Sequence, residues 1–456
     1  MDVTLAELAS WCGGRVEPPE ASTTRVRGVS TDSRTIKPGE VFVAIDGLNL
    51  DGHRFVRFAG SSGASAAVVE KRPGDSGKLP LMLVNDSLEA LGRMANGYRW
   101  QPPLIPWIAV TGSNGKTTTR ELLARILGKR LKVRSSLRNW NNFIGLPLSM
   151  MSAPDDAEVA VMEMGTNHPG EIAKLREICV PTISVITGTG NSHLEGFGDS
   201  KGVAREKADI FGWLPTDGLA IFPADDPNVG ILADAVPHAR ATFSINGVEA
   251  DAMAEDIKVS ATGSQFTVNG VRVRLPLLGR HNISNCLAAM LAARHLGIGF
   301  AEAAEALATV KPVAGRLQAT NTPAGITVIN DTYNANPDSV MAALEILADM
   351  PGKRRIAVLG DMGELGPESR RMHREIGLSA GMMDLDALFV TGVESTATAE
   401  AAQVNARIVV RHFPSAEALW MTLKKFLKSG DQVLVKGSRS MLMERVANLL
   451  LDWFPD

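Results

Sequence analysis

Between Val110 and Arg120 the chain reads VTGSNGKTTTR, a glycine-rich turn closed by a lysine and three threonines. Gly112 and Gly115 leave room for backbone N–H groups to point inward, and a helix starting here adds the positive end of its dipole. Lys116 reaches terminal phosphates and Thr117 offers a hydroxyl to Mg2+. This is the chemistry of an ATP or GTP phosphate site made by residues 112–118, from Gly112, Ser113 and Asn114 through Gly115 to Thr118. The spacing is the shortened form TGxxGKT, with Val110 where the common pattern has its first glycine. An ordinary strand–helix turn has glycines but not this run of lysine and threonines.

Other candidates stand at the ends of apolar runs. Glu163 closes AEVAVME, and His193 lies in GTGNSHLEGFGD after TISVIT. A carboxylate and an imidazole beside nucleotide phosphates are candidate metal ligands, although Mg2+ prefers oxygen and a lone histidine is as readily structural. Lys207, in GVAREKADIFGWL, reads from spacing alone as a solvated helix lysine. His281, Asn282 and Asn285 cluster at the start of a helix, where asparagine caps the end or hydrogen-bonds an adenine or ribose. Ser30, Thr31, Asp32, Ser33 and Arg34 form either a plain polar loop or a set of hydroxyls, acceptor and guanidinium suited to a nucleotide-sugar.

These residues need a parallel sheet to bring them together. Strand patterns at 107–111, 158–163 and 182–187 alternate with helical ones at 117–129 and 169–178, and ligands of such sheets bind beyond the carboxyl ends of the strands. Before them, helices at 4–11 and 87–99 and short strands at 26–29, 41–45 and 66–69 make a small α/β unit, ended by the prolines of QPPLIP. The span 241–278 is β-prone, and KPVAG (311–315) reads as a second linker. Strands near 326–330, 355–359, 387–391, 407–410 and 432–435 then repeat the alternation. Their loops NDTYNANPDS, GDMGELG and KGSRSM follow strands, and GDMGELG lacks the GxGxxG dinucleotide fingerprint. The expected fold is α/β in three domains: 1–101, 102–312 and 313–456.

With 456 residues, 47 Lys+Arg against 50 Asp+Glu and a net charge of −3, no basic surplus announces nucleic acid or an anionic membrane. Three scattered cysteines, Cys12, Cys179 and Cys286, form no CxxC pair, which argues against a disulfide framework or zinc site and fits a reducing cytoplasm. There is no basic, apolar leader at the start and no apolar run long enough to span a bilayer. The expectation is a cytoplasmic protein that neither binds nucleic acid nor inserts in membranes, working as a monomer.

Taken in order, STDSR with GxxxDGHRF, TGSNGKTTT, NNFIGLPL, MEMGTNHPGEI, HLEGFG with a following EK pair, GRHNISN, AGRL, DTYNANP, VLGDMGELG and VKGSRSM resemble the Mur ligases of peptidoglycan synthesis. The DTYNANP and GDMGELG loops resemble the branch that adds D-alanyl-D-alanine. The resemblance implies an N-terminal UDP-binding domain, a central P-loop ATPase and a C-terminal Rossmann-like domain that closes over the nucleotide. It implies that Lys116 and Thr117 hold ATP phosphates and Mg2+, that Glu163 and His193 bind metal, and that Lys207 carries a CO2-derived carbamate able to ligate a second Mg2+. Asn282, Asn285, Arg316 and Asp331 would contact ATP, with Lys116, Glu163, His193, Lys207 and Arg316 as the catalytic set. Ser30, Asp32, Ser33 and Arg34 would meet UDP, Asn141 and Asn142 the muramoyl-peptide, and Asn334, Asn336 and Pro337 the D-alanyl-D-alanine. The partners implied are UDP-N-acetylmuramoyl-tripeptide and D-alanyl-D-alanine.

Two positions depart from the pattern: Arg138, where relatives often have glycine, and Asp199, where they often have serine. Neither is a proposed phosphate or metal ligand. The rival readings are a sister ligase adding a diamino acid, whose DNPR motif is not in the sequence, folylpolyglutamate synthase, which leaves the STDSR region unexplained, and a P-loop ATPase acting on a protein partner. An ATPase of that last kind more typically has an aspartate where Glu163 ends its strand.

Overall fold

The apolar run before the glycine turn forms the fully buried strand Trp107–Thr111, inside a nine-stranded sheet. Val159–Glu163 pairs with it in parallel on one side, with Glu163 opposite Val110, and Ile183–Ile186 on the other, with Ile186 opposite Thr111. Val133–Ser135 adds one edge, while Leu219–Pro223, Ala239–Ser244 and Ala252–Ser260 extend the other in parallel and two antiparallel strands finish it. The chain visits one side of Trp107–Thr111 and then the other, so strand order reverses there. A crevice at the carboxyl ends follows from that reversal. The sheet is too apolar to face water, and helices Lys116–Leu127 and His281–His295 cover one face through Leu122, Leu123, Ile126, Cys286, Leu287 and Met290.

This computed structural model describes residues 1–47, 49–137, 139–152, 155–190, 194–404 and 407–454. N-terminal to the large sheet, a five-stranded sheet runs in the order Arg15–Glu17, Leu81–Leu83, Ala66–Val69, Glu40–Val43, Gly28–Ser30, parallel except at its first strand. Helix Ser87–Arg99, capped by Asp86 whose carboxylate accepts from Glu89 N at 2.7 Å, joins this unit to the central one. Asn96 Nδ2 donates to the carbonyls of Glu177 and Ile178 at 2.9 and 3.1 Å. Leu8, Met82 and Leu91 share one apolar cluster with Trp107, Ile172 and Phe222, so the core is continuous across the QPPLIP segment.

The C-terminal part is a six-stranded sheet in the order Gln318–Asn321, Thr327–Asp331, Asp431–Lys436, Arg354–Gly360, Ala387–Thr391, Val409–Phe413, parallel except for the first pair. Leu344, Met362 and Leu365 from this part pack with Leu194, Val203 and Leu278 from the central part, which joins the two through a shared apolar cluster. Among the described residues no helix is long and apolar enough to cross a membrane.

Candidate active site

The phosphate-loop turn depends on its two glycines. Gly112 (φ 146°) and Gly115 (φ 84°) lie in backbone regions that L side chains rarely adopt, and a Cβ on either would fall 1.9 Å from Thr187 Oγ1 or 2.1 Å from Asn285 Oδ1. Gly115 is also the N-cap of helix Lys116–Leu127 and has no side chain to satisfy the first N–H groups, leaving them for an anion. Lys116 Nζ donates to Gly112 O at 2.7 Å and Ser113 O at 3.4 Å. Burial pushes the Lys116 amine below its ordinary pKa and Arg316 adds to that, while Glu163 opposes it.

Glu163 sits where the strand order predicts, at the strand end beside the loop, and is 2 % exposed. Its Oε2 accepts from Thr117 Oγ1 at 2.9 Å and its Oε1 from Asn141 Nδ2 at 2.9 Å, while Arg120 Nε lies 3.6 Å away. Buried hard-oxygen donors at Thr117 and Glu163 are a fitting start for Mg2+, which completes its shell with waters and phosphate oxygens. Among the described residues no cluster of three or more His, Cys, Asp or Glu side chains is placed to hold a metal. His193 lies outside the described residues, as does Arg138.

Lys207 corrects the reading of a solvated surface lysine. On helix Ser200–Ala208 it is 1 % exposed, and among the described residues no hydrogen bond is found for its Nζ. Burial drives its pKa far below the ordinary lysine value, with Lys116 adding to the depression and Glu206 opposing it. An amine whose burial disfavours the cation is the more nucleophilic for it and suits reaction with CO2. Lys207 does not line the cleft itself. Asp199, in place of the more usual serine, caps this helix by accepting from Gly202 N at 2.7 Å, a task either residue type performs.

Helix capping is not what Asn282 and Asn285 do. Helix His281–His295 has Arg280 at its N-cap and no side-chain capping bond. Asn282 Nδ2 donates to Leu278 O at 2.7 Å, Asn285 Nδ2 donates to Asn282 Oδ1 at 3.0 Å, and Thr119 Oγ1 donates to Asn285 Oδ1 at 3.3 Å. The two asparagines thus brace the phosphate loop from behind while lining the cleft.

From the C-terminal sheet, Arg316 Nη2 donates to Thr117 Oγ1 at 2.9 Å, with its guanidinium 4.0 Å from the centre of the Tyr333 ring. Asp331 receives Lys436 Nζ at 2.5 Å and Leu317 N at 3.1 Å. Asn336 caps helix Pro337–Asp349, accepting from Ser339 N at 2.9 Å, and Pro337 is at its first position. The same Asn336 donates Nδ2 to Asn114 Oδ1 at 2.9 Å, joining the C-terminal loop directly to the phosphate loop. Asn142 and Asn334 also line the shared cleft, whose volume is about 670 Å³.

Ser30, Asp32, Ser33 and Arg34 are not in that cleft. Asp32 Oδ1 and Oδ2 receive Arg34 Nε and Nη2 at 2.9 and 2.7 Å, and this guanidinium holds the Asp32 pKa down at about 2. In the neighbouring DGHRF turn, His53 is buried with Nδ1 2.6 Å from Asp51 Oδ1 and Nε2 accepting from Glu70 N at 3.0 Å, which makes it a structural connector.

Some residues have contacts in the site that no motif announced. Arg120 passes Nη1 to Ser136 O beside Glu163, and Asp226 accepts from Thr189 N at 2.8 Å and Asn228 N at 2.8 Å to order the 187–190 loop. Tyr333 and Lys436 stood inside DTYNANP and KGSRSM, and those motifs were the available signal.

Sequence profiles described as Mur ligase family, catalytic domain, Mur ligase middle domain, and Mur ligase, glutamate ligase domain match residues 25–99, 110–293 and 315–439. A relative from Escherichia coli (strain K12), named UDP-N-acetylmuramoyl-tripeptide--D-alanyl-D-alanine ligase, is 37% identical over 459 residues, covering 99% of this chain and 98% of the relative. The crystal structure of MurF from Acinetobacter baumannii superposes with a TM-score of 0.92 at 29% identity over 99% of each chain. That of MurF ligase from Thermotoga maritima, in complex with ADP, gives 0.82 at 28% identity over 93% of this chain and 97% of that one. With the phosphate loop, the strand-end carboxylate and the two-sheet cleft in these positions, the chain belongs to the Mur ligase family.

Proposed function

We propose that this chain is the ATP-dependent ligase that joins D-alanyl-D-alanine to UDP-N-acetylmuramoyl-tripeptide, acting in the cytoplasm as a monomer organised in three domains over 1–101, 102–312 and 313–456. The observation that carries the reading is the cleft. The phosphate loop and the loop after Thr327–Asp331 meet in it through Asn114 and Asn336 and through Thr117 and Arg316. The full-length relative that bears this activity in its name supports the same choice over a diamino-acid ligase. The nucleotide is read as ATP, in keeping with the ADP in the Thermotoga maritima structure.

In the first step an oxygen of the tripeptide's terminal carboxylate attacks the γ-phosphorus of ATP. The bond from that phosphorus to the β–γ bridging oxygen breaks, giving an acyl phosphate and ADP. In the second, the amine of D-alanyl-D-alanine attacks the acyl carbon and loses a proton, and the bond to the phosphate oxygen breaks to leave an amide and phosphate. Carboxylate and triphosphate repel, so the site must supply positive charge at the transferring group. Among the described residues Lys116 Nζ has only the Gly112 and Ser113 carbonyls to give up as it turns to the phosphates. Arg316 already lies on Thr117, beside the place where the terminal phosphate must sit. Mg2+ held by Thr117, Glu163, His193 and a carbamate on Lys207 would neutralise phosphate charge and orient it. Asn282, Asn285 and Asp331 border the nucleotide, Asn141 and Asn142 the muramoyl-peptide, Asn334, Asn336 and Pro337 the dipeptide, and residues 30–34 the UDP.

The test is phosphate release from Mg-ATP with tripeptide substrate and dipeptide given singly and together, with mass spectrometry of the product. Release needing both, a UDP-pentapeptide mass and no ADP from Lys116→Ala is the expected result. Release with neither substrate points instead to an ATPase serving a protein partner.

A further inference from the structure

A second cavity of about 240 Å³ opens where helix Ser87–Arg99, the proline-rich connection and the amino-terminal end of strand Trp107–Thr111 meet. Among the described residues it shares no lining residue with the catalytic cleft. Arg99 lines it and is only 5 % exposed. Its Nε donates to Val180 O at 3.3 Å, and its guanidinium lies 4.9 and 5.4 Å from the ring centres of Trp100 and Trp107. Among the described residues neither of its two amino groups has a hydrogen-bond acceptor, and no carboxylate lies within ion-pair distance.

Both amino groups are open to the cavity and to whatever fills it. A guanidinium offers five N–H donors in a planar fork, and stacking on indoles satisfies its faces but not those donors. Burial alone lowers the pKa of this arginine, which is how an uncompensated buried cation responds. The acids at the rim are engaged elsewhere: Asp2 accepts Arg25 Nε at 3.0 Å, and Asp155 pairs with the Met1 amino group. Arg134 also lines the cavity and gives Nη1 to Met150 O at 2.6 Å and Nη2 to the Tyr98 hydroxyl at 2.8 Å. The volume exceeds what one water needs, roughly 10–15 Å³ by the same kind of measure, several times over.

We propose that this cavity binds a small oxyanion, a phosphate or carboxylate group, on the two amino groups of Arg99. Such a ligand replaces water with two parallel charge-assisted hydrogen bonds, the geometry for which the fork is preorganised. It bridges the last turn of helix Ser87–Arg99 and the start of strand Trp107–Thr111, and so stiffens the joint between them.

The test is calorimetric titration of the full chain with inorganic phosphate and, separately, acetate, at constant ionic strength against chloride. Because the phosphate loop takes phosphate too, the Lys116→Ala chain is titrated in parallel. Saturable binding that survives Lys116→Ala and falls about tenfold or more in Arg99→Gln is the expected result, that being the worth of one or two charged hydrogen bonds. Arg99→Lys keeps the charge without the fork and falls in between. Which anion saturates first tells phosphate from carboxylate. Loss of all binding in Lys116→Ala, binding indifferent to Arg99→Gln, or no saturable binding of either anion overturns the proposal. Should Arg99→Gln fail to fold, Arg99→Lys carries the comparison, and crystals of the unaltered chain soaked in phosphate must show the anion on Arg99; water alone there overturns it as well.

Discussion

At the scale of single residues, the chemistry rests on charges that burial has made expensive. Glu163 is ringed by Thr117, Asn141 and Arg120, and burial pushes the Lys207 amine well below its ordinary pKa. A carbamate there would turn the amine into an anion able to ligate Mg2+. Lys207→Ala is therefore expected to lose most phosphate release and to regain part of it with added small carboxylates; full activity without them removes the carbamate from the mechanism. Asp32 and Arg34 give a pH prediction with a definite sign. The Asp32 pKa is lowered from 3.8 to about 2 by Arg34, so the pair's contribution is complete above about pH 4 and is lost as pH falls toward 2. Titration followed by NMR should find Asp32 low in the unaltered chain and higher in Arg34→Ala, though still below an ordinary carboxylate because the backbone N–H of residue 34 still donates to it at 3.0 Å. Both side chains are partly in water, so the accompanying stability change is small.

At the scale of elements, two short helices position the buried groups, and their ends matter more than their length. Ser200–Ala208 carries Lys207 and starts at Asp199, whose carboxylate satisfies Gly202 N. On the same helix, Glu206 accepts from Gly170 N at 2.6 Å and Ile172 N at 2.8 Å, so it fixes the start of helix Glu171–Cys179. Asp199→Ala should lower stability by about 1 kcal/mol, while Asp199→Ser stays within a few tenths, as urea midpoints at constant slope will show. The periodicity in the sequence locates such helices well: Ser87–Arg99 begins and ends where the apolar spacing and the prolines place it. The polar edge strand Gln318–Asn321 escaped it, because a strand half in water at a sheet edge carries little apolar alternation.

At the scale of the whole molecule, function depends on two sheets meeting. Asn114 and Asn336 are 222 residues apart in sequence and exchange amide hydrogen bonds at 2.9 and 3.4 Å. If that pair couples the loop after Thr327–Asp331 to the phosphate loop, Asn114→Ala and Asn336→Ala will each weaken binding of an ATP analogue, and the double variant will lose less than the sum. The expected coupling is about 0.5–1.5 kcal/mol, and strictly additive losses would show that the contact has no energetic weight. The cycle is needed because Asn336 also caps its own helix, and that loss must be separated from the loss of closure.

The sequence by itself determined the local chemistry: a phosphate turn follows from glycines and a lysine at fixed spacing, and a parallel α/β fold from alternating apolar periods, since both are written within a few dozen consecutive residues. It also placed Glu163 at the strand end next to the turn, because strand order in such sheets constrains where side chains emerge. Only the tertiary structure decided that Lys207 is buried, that Asn282 and Asn285 brace the loop and do not cap a helix, and that Arg316 reaches Thr117 from another sheet. Burial and long-range pairing depend on which surfaces pack together, and spacing along one segment carries no record of the segment that covers it.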